Sequence, residues 1–347
     1  MKVGILKDIK VGENRVIATP VEIASLKADG HEVYVQKGAG QKAGFPDEKY
    51  AAAGAVMVDT AEEIYRTCDF VAKVKEFEPS EYNLLREGQI VFTCIHPAAH
   101  PEEVQALLDK KVIAFTAEDS HRYGSPNCEA AGKQAALSVL HALGAWVTVA
   151  DINIGLLRTL QSQYNQSINT MISSRENIAA ILPETDMILN CVKWPKGNTE
   201  YLVTREMVRS MEPGSVLVDI SNDEQGAIET FHETTHENPR YVEEGVVHYC
   251  VSNIPGAIAN STSVAYAASV LPHFRSILNN GVAQACAKDG FLRRSLTTYK
   301  GYLTHEETSA LQNRPWIRPE DILGIADQKL DPAPPATVTR SDNFISL

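Results

Sequence analysis

FVAKVKEF at residues 70–77 and QIVFTCIHPAAH at residues 89–100 are two apolar segments, and each leads into polar, titratable side chains. Their valine, isoleucine and phenylalanine residues predict two buried β-strands. In an open α/β sheet, ligands bind at the carboxyl ends of the strands. Lys75 and His96 fall at those ends. The sequence therefore predicts a ligand site at this edge of the sheet.

A third cationic side chain, Arg15, lies in GENRVIATP (residues 12–20), after a predicted first strand over residues 2–6. If these loops converge, Arg15 supplies a planar fork for a carboxylate, Lys75 a point charge, and His96 a group that titrates near neutrality. This set predicts a pocket for a small α-keto or α-amino acid. A purely structural interpretation also fits the pattern, with a solvated arginine, exposed lysines at positions 73 and 75, and a turn histidine.

Longer segments of the chain carry a resemblance to a known family. They are KDIKVGENRVIATP (7–20), GHEVYVQKGAG (30–40), VAKVKEF (71–77), VFTCIHPAAH (91–100), GSVLVDISNDEQGAIET (214–230) and HYCVSNIPGAI (248–258). These segments resemble the alanine dehydrogenase family, which shares its fold with the NAD-binding part of proton-translocating transhydrogenase. The resemblance extends over most of residues 1–270.

The resemblance implies a reaction and roles for four side chains. The reaction is the reversible, NAD-dependent oxidative deamination of L-alanine, or of a similar small L-amino acid, to pyruvate or another 2-oxo acid and ammonia. Arg15 and Lys75 would bind the substrate, and His96 would act as acid and base. Asp223 would activate the water that hydrolyses the imino acid. The transhydrogenase branch fits less well, because it lacks the pair of His96 and Asp223. A homo-oligomer, in this family a hexamer, is also implied.

The composition is compatible with a cytoplasmic enzyme. The chain has 347 residues, enough for two domains, and 44% of them are hydrophobic. A net charge of −12 argues against nucleic acid as the main partner. The six cysteines show no CxxC or metal-binding spacing, which favours reduced thiols. No signal-peptide pattern and no run of about 18 apolar residues is present, so no membrane span is predicted.

Strand and helix patterns alternate and predict the fold class α/β, with two doubly wound, Rossmann-like domains and a cleft between them. TPVEIASLKADG predicts a helix with Thr19 as its cap and Pro20 at its first position. The predicted substrate domain comprises residues 1–126 and 257–347, and the NAD-binding domain, residues 127–256, is inserted into it. The Pro-rich end, DPAPPATVTRSDNFISL, is predicted to be a flexible tail.

The inserted domain lacks the glycine loop that binds a dinucleotide. A Rossmann unit needs a strand, a GxGxxG loop, and a helix whose N-terminus faces the phosphates. The sequence NCEAAGKQAALSVLHALGAWVTVADIN contains a predicted helix, residues 130–143, and the strand after it, residues 146–151, but no preceding strand or loop. With Gly132 as the third glycine, the earlier positions are Asn127 and Glu129, and a glutamate would repel phosphate.

Two explanations of the missing loop are open. In the first, a segment of about 40 residues with the first βα unit is absent from the chain. In the second, those residues were left out of the sequence and the numbering runs across a gap. If the first explanation holds, the pyrophosphate site is lost. The alternative function is then that of a regulatory or catalytically impaired protein that binds an amino acid or keto acid. The second leaves the NAD site intact.

Other residues predicted to bind the cofactor are present. Asp151 ends a predicted strand, where a carboxylate binds the ribose hydroxyls and favours NAD over NADP; an ordinary turn aspartate is the alternative. Arg158 lies seven residues further on, and it either reaches the adenosine or is solvated. The resemblance implies that four more residues lie near the nicotinamide end. They are Cys191, Val192, Asn253 and Ile254.

Overall fold

The computed structural model describes residues 1–126, 144–192, 194–195, 198–221, 226–335 and 339–346. The chain divides into two compact units. The first unit comprises Met1–Asn127 and Ile258–Leu347, and the second comprises Cys128–Ala257. Each limit lies within one residue of the corresponding predicted limit. Both units are α/β, and most neighbouring strands are parallel.

Eight strands form the sheet of the first unit, in the order β14-β13-β6-β5-β4-β1-β2-β3. β13 is antiparallel to β6 and β14, and the other neighbours are parallel. The strands of this sheet are β1 Lys2–Ile5, β2 Glu32–Gln36, β3 Val56–Val58, β4 Phe70–Lys75, β5 Ile90–Cys94, β6 Ile113–Thr116, β13 Leu296–Tyr299 and β14 Tyr302–Leu303.

The α-helices of the described residues are numbered here in chain order. They are α1 Pro20–Ala28, α2 Asp47–Ala52, α3 Ala61–Thr67, α4 Pro101–Asp109, α5 Ile154–Gln163, α6 Arg175–Ile181, α7 Arg205–Arg209, α8 Ala259–Asn280, α9 Val282–Lys288, α10 Gly290–Ser295, α11 Glu306–Gln312 and α12 Pro319–Ile322. Among these helices, none is long and apolar enough to cross a membrane.

Helix α1 begins where the sequence predicts. Thr19 Oγ1 accepts a hydrogen bond from the Val21 N–H, and the Thr19 N–H donates to Glu22 Oε2 at 2.9 Å, which completes a capping box. Pro20 occupies the first helical position. A cap of this kind contributes about 0.5–2 kcal/mol to stability. The cap fixes one end of the loop that carries Arg15.

Apolar layers cover both faces of the eight-stranded sheet. On one face, Phe92 packs edge-on against Phe274 of α8, with ring centroids 5.0 Å apart. On the other face, Tyr65 of α3, Phe77 and Val91 belong to a second apolar cluster. Burying each of these side chains stabilises the fold by about 1.5–3 kcal/mol. The two layers hold β4 and β5 rigidly between them.

The described strands of the second unit form two sheets. β7 Thr148–Asp151 pairs with β8 Asn169–Ile172, while β9 Met187–Asn190, β10 Val216–Asp219, β11 Arg240–Glu243 and β12 Val246–Tyr249 form a sheet in the order β11-β12-β10-β9. Within the described ranges, no strand joins β7 to β9. In a Rossmann sheet that position belongs to the first strand of the fold. The first βα unit, which the sequence pattern lacks, would supply this strand. The division of the described strands into two sheets therefore agrees with the sequence.

Strand β7 is shorter than predicted. It begins at Thr148, whereas the sequence pattern places its start at position 146, and the Trp146 side chain is 90% exposed. Ile152, directly after the strand, is also exposed. Apolar residues of a central Rossmann strand are normally covered by neighbouring strands and helices. Val149 and Ala150 within β7 are only partly buried, which agrees with the loss of the adjacent strand.

The C-terminal segment packs on the first unit, so the prediction of a flexible tail is wrong. The Trp316 N–H donates to the Asn343 carbonyl at 3.1 Å, and the Ile345 N–H donates to the Trp316 carbonyl at 2.9 Å. The Phe344 ring lies edge-on to the Trp316 ring at 5.9 Å. These backbone bonds and the aromatic contact hold the tail despite its proline content.

Candidate active site

Four neighbouring strands of the first unit end at the same edge of its sheet. β1, β4, β5 and β6 are adjacent and parallel, so the residues at their carboxyl ends lie near one another. Lys75 is the last residue of β4, His96 follows β5, and Glu118 follows β6. Arg15 lies on the loop after β1. This edge carries three of the residues predicted to form a site.

Arg15 is a buried residue with 4% of its surface exposed, so the interpretation as a solvated arginine is wrong. Its Nε donates to Glu13 Oε1 at 2.8 Å, and its Nη2 donates to Glu13 Oε2 at 2.5 Å. Burial raises the pKa of Glu13, but the bonds from Arg15 outweigh it and hold that pKa below its usual value. Glu13 is therefore ionised and orients the guanidinium. A substrate carboxylate must approach Arg15 from a different edge.

The two lysines of β4 lie in different environments. The Lys73 side chain is fully buried, with its Nζ 2.7 Å from Glu81 Oε2 and 4.0 Å from Asp8 Oδ1. The alternative interpretation of Lys73 as an exposed lysine is therefore wrong, and its charged partners are those that a buried ammonium requires. Lys75 is only partly buried. In the described part of the chain, no carboxylate lies within salt-bridge distance of the Lys75 ammonium.

Arg15 and Lys75 have neighbours in common. Burial raises the pKa of the Cys94 thiol to about 12, and the positive charges of Lys75 and Arg15 both oppose that rise. Lys75 also lowers the pKa of Glu13, the carboxylate that binds Arg15. Geometry agrees for one contact of each cation, since Lys75 is paired with Cys94 across the strands and Arg15 is hydrogen-bonded to Glu13. That they bind one substrate-sized anion stays a prediction.

His96 has a left-handed backbone conformation, with φ of 50°, which is uncommon for a residue other than glycine. Its N–H donates to Glu118 Oε1 at 2.5 Å, and its Nδ1 lies 3.5 Å from the same oxygen. Glu118 raises the pKa of His96, whereas burial and the Lys75 ammonium lower it, and the net pKa lies below the usual value. The imidazole is therefore mostly neutral near pH 7, as a base must be.

Two further side chains line the same region from different parts of the sequence. Tyr266 of α8 is buried, and its hydroxyl lies 3.4 Å from Cys94 Sγ. Ser263, one turn earlier in α8, accepts a hydrogen bond from the Val16 N–H at 3.0 Å, which ties the loop of Arg15 to this helix. The C-terminal part of the chain thus completes the site formed by the N-terminal strands.

Four of these residues were not identified from the sequence. Glu118 follows β6, and the rule for strand ends that selected His96 would also have selected it. Glu13 stands two positions before Arg15, but that spacing alone does not reveal an ion pair. Cys94 and Tyr266 are brought together by long-range packing, so no local sequence signal identifies them.

In the second unit, Asp151 ends β7, the position predicted for the acid that binds ribose. Its Oδ1 accepts a hydrogen bond from the Asn153 N–H at 2.7 Å, and Asn153 caps helix α5. Asp151 therefore also serves the turn, as the alternative interpretation proposed. Arg158 is exposed on α5. Asp223, predicted to activate water, lies outside the described residues.

The four residues predicted near the nicotinamide end are also in the second unit. Cys191 is exposed, and the Val192 carbonyl accepts a hydrogen bond from Ser221 Oγ at 2.7 Å. Asn253 has a left-handed conformation, with φ of 64°, and Ile254 is buried. Across the residues that the structure describes, no group of His, Cys, Asp and Glu side chains could hold a metal ion.

Two family models together match most of the chain. The N-terminal domain of the alanine dehydrogenase/PNT family matches residues 4–137, and the C-terminal domain of the same family matches residues 130–306. With the fold and the cationic strand-end site, these matches define the class of protein as an α/β oxidoreductase. The chain belongs to the alanine dehydrogenase/PNT family.

Individual relatives agree with this assignment. The alanine dehydrogenase of Methanococcus maripaludis is 35% identical over 371 residues, with 93% of this chain and all of the relative covered. That of Bacillus subtilis is 35% identical over 353 residues, with 88% and 93% covered. A solved L-alanine dehydrogenase structure has a TM-score of 0.83 at 29% identity, covering 90% of this chain and 99% of that one. The transhydrogenase of Sinorhizobium meliloti, with a TM-score of 0.71 at 22% identity, shares the fold.

The relatives carry a segment that this chain lacks. Both alignments are about 50 positions longer than the part of this chain that they include. The two family models overlap at residues 130–137, in the stretch without a glycine loop. These observations agree with the missing segment of about 40 residues that the sequence pattern predicts. The helix predicted over residues 130–143 lies outside the described residues.

The residues present fit NAD only in part. Asp151 is at the strand end expected for ribose binding. No GxGxxG motif occurs in the sequence, and the described strands leave the place beside β7 and β9 unfilled. That place normally supplies the backbone N–H groups that bind the pyrophosphate. Asp151 thus stands at the position expected for the ribose, while no phosphate cradle occurs in the described part.

Proposed function

We propose that this protein catalyses the reversible, NAD-dependent oxidative deamination of L-alanine, or of a similar small L-amino acid, to the 2-oxo acid and ammonia. The observation that carries the proposal is the grouping of Arg15, Lys75 and His96 at one sheet edge in a member of the alanine dehydrogenase/PNT family. Cations and a neutral imidazole at one site suit a substrate that has a carboxylate and a reacting carbon.

The proposed mechanism assigns one task to each side chain. Arg15, oriented by Glu13, and the Lys75 ammonium bind the substrate carboxylate and hold the reacting carbon in place. His96 takes the proton from the substrate oxygen as the carbonyl forms during deamination and returns it to that oxygen in the reverse reaction, and Glu118 stabilises the charged form of His96. The family resemblance assigns to Asp223 the activation of the attacking water. NAD, when bound, accepts the hydride.

Substitution of Arg15 by lysine tests the carboxylate site. We expect Arg15→Lys to raise the Michaelis constant for pyruvate by about tenfold or more, because a point charge cannot replace a planar fork. The Michaelis constant for NADH should stay within about twofold. Steady-state kinetics of reductive amination measure both constants.

A matched control is Arg86→Lys. Arg86 is an exposed residue, and its guanidinium donates to two backbone carbonyls, those of Tyr65 and Cys68. The control therefore loses comparable hydrogen bonds away from the site, and its Michaelis constant for pyruvate should match that of the parent. Equal increases for pyruvate and NADH in Arg15→Lys would count against a carboxylate role for Arg15.

A second candidate function follows from the divided sheet. A protein that retains the amino-acid site but has lost its pyrophosphate cradle would bind an amino acid or keto acid as a regulatory or catalytically impaired protein. The unfilled place between β7 and β9 among the described strands favours this candidate. The affinity for NADH distinguishes the two candidates, because only the enzyme requires the dinucleotide.

The proposal extends to assembly and location by resemblance alone. We expect a homo-oligomer, a hexamer as in the family, in the cytoplasm, where small-molecule substrates such as L-alanine, pyruvate and ammonia are available. The net charge of −12 argues against nucleic acid as a partner. A sedimentation measurement of the purified protein reports the assembly directly.

A further inference from the structure

Strand β4 carries one residue more than β5 near its carboxyl end. Ala72 pairs with Phe92, and the next paired residues are Lys75 and Cys94. Residues 73 and 74 of β4 therefore stand opposite the single residue 93 of β5. This arrangement is a β-bulge, which bends a strand and re-aims the side chains beyond it.

The faces of the sheet show what the bulge does to Lys75. Val71 and Val91 lie in the apolar layer on one face, whereas Ala72, Phe92 and Cys94 lie in the layer on the other. In a regular strand, residues 71, 73 and 75 would all point to the first of these faces. Paired residues share a face, so pairing with Cys94 places Lys75 on the second face.

The two lysines of β4 consequently meet opposite surroundings. Lys73 lies with Glu81, whose second carboxylate oxygen accepts a hydrogen bond from the Tyr65 hydroxyl at 2.9 Å. Lys75 lies with Cys94, and the charges of Lys75 and Arg15 both lower the pKa of that thiol. Without the extra residue, Lys75 would point towards Tyr65 and Glu81. The face that carries Arg15 would then lose its second cation.

Two buried side chains hold the backbone of Lys75 in this conformation. Asp8 Oδ2 accepts a hydrogen bond from the Lys75 N–H at 2.8 Å, and Thr93 Oγ1 donates to the Lys75 carbonyl at 2.6 Å. Both residues are buried. A bulge disrupts the ladder of backbone bonds, and leaving a buried peptide group unpaired is unfavourable. Asp8 and Thr93 therefore favour the bulged register over the regular one.

We propose that the bulge at Lys73 and Val74, held by Asp8 and Thr93, is a positioning device that turns the Lys75 ammonium towards Arg15. Asp8 and Thr93 are positioning residues, since they act through the backbone of Lys75. The value of the device for catalysis rests on the proposed role of Lys75 in binding the substrate carboxylate. The orientation of Lys75 itself is measurable without substrate.

Chemical labelling of Lys75 tests the device directly. The full-length protein is treated briefly with acetic anhydride, and acetylation at Lys75 is measured by mass spectrometry relative to the exposed Lys37 and Lys111. Thr93→Val keeps the shape of the side chain but loses the hydroxyl donor, so we expect acetylation of Lys75 to fall by about fivefold as the regular register becomes populated.

Matched variants separate positioning from general destabilisation. Thr93→Ser retains the hydroxyl and should behave as the parent. Thr298→Val removes a buried hydroxyl that donates to the Val112 carbonyl at 2.9 Å in the same sheet, away from Lys75, and should leave the labelling of Lys75 unchanged. Asp8→Asn, which loses the charged acceptor, should change the labelling in the same direction as Thr93→Val.

Kinetics then connect the device to function. Thr93→Val should raise the Michaelis constant for pyruvate by about fivefold, with the constant for NADH unchanged, whereas Thr298→Val should change neither. Equal labelling of Lys75 in Thr93→Val and Thr298→Val would overturn the inference. If Lys75→Met leaves pyruvate binding unchanged while the labelling result holds, the proposed role of Lys75 fails and the positioning device stands.

Discussion

NADH should bind this protein weakly, with a dissociation constant at least about a hundredfold above the micromolar range. A pyrophosphate is normally bound by backbone N–H groups at the start of the first Rossmann helix. A hydrogen bond to a charged group contributes about 1.5–3 kcal/mol, so the loss of two costs about a hundredfold or more in affinity. The divided sheet and the absence of a GxGxxG motif motivate this expectation.

Isothermal titration calorimetry of the purified protein with NADH measures this affinity. NADPH is the matched ligand, because the Asp151 carboxylate would repel its 2′-phosphate and should make its binding weaker still. Binding of NADH in the micromolar range would contradict the expectation. It would mean that residues 127–143, or a residue elsewhere in the chain, supply a phosphate site that the sequence pattern does not predict.

Removal of the His96 imidazole should lower kcat of the amino-acid dehydrogenase reaction by about 10²–10⁴, the contribution of a positioned acid or base. The affinity for pyruvate should change much less, because Arg15 and Lys75 are retained. His100→Ala is the control, because it removes a neighbouring imidazole that is engaged elsewhere. The His100 ring lies 6.4 Å from the His96 ring, and its Nδ1 is hydrogen-bonded to the Ile95 carbonyl. Near-parental activity of His96→Ala would remove His96 from the catalytic role.

The pH dependence of the same reaction reports on His96. Deamination requires the neutral imidazole, so kcat/KM for L-alanine should rise as the pH increases through the pKa of His96. Glu118 raises that pKa, but burial and Lys75 hold it below the usual value of an imidazole. The midpoint of the rise should therefore lie below the usual pKa of an imidazole, and the rise should be absent in His96→Ala.

Local patterns were sufficient for much of the first unit. The apolar runs around residues 70–77 and 89–100 predicted two buried strands, which the structure shows to be adjacent and parallel. The rule for strand ends placed Lys75 and His96 at one edge. The cap at Thr19 was predictable because capping depends on residues close in sequence. These features arise from interactions within a few residues or from strand periodicity.

Features that depend on long-range packing were not predictable in the same way. Strand periodicity gives residues 73 and 75 the same face, and only pairing with β5 creates the bulge that separates Lys73 from Lys75. The contact of Trp316 with Phe344 joins residues far apart in sequence and holds a segment whose composition resembles a tail. The division of the second sheet follows from a missing strand, whose absence the sequence pattern did predict.

The most direct test of the central claim is the reduction of NAD in the presence of L-alanine by the purified protein. NAD is supplied well above its measured dissociation constant, and NADH is followed by absorbance while pyruvate is quantified separately. We predict that both products form in equal amounts, and that Arg15→Lys requires much more L-alanine for the same rate. Binding of pyruvate without any formation of NADH from L-alanine would contradict the enzyme assignment and would leave the amino-acid-binding protein as the function.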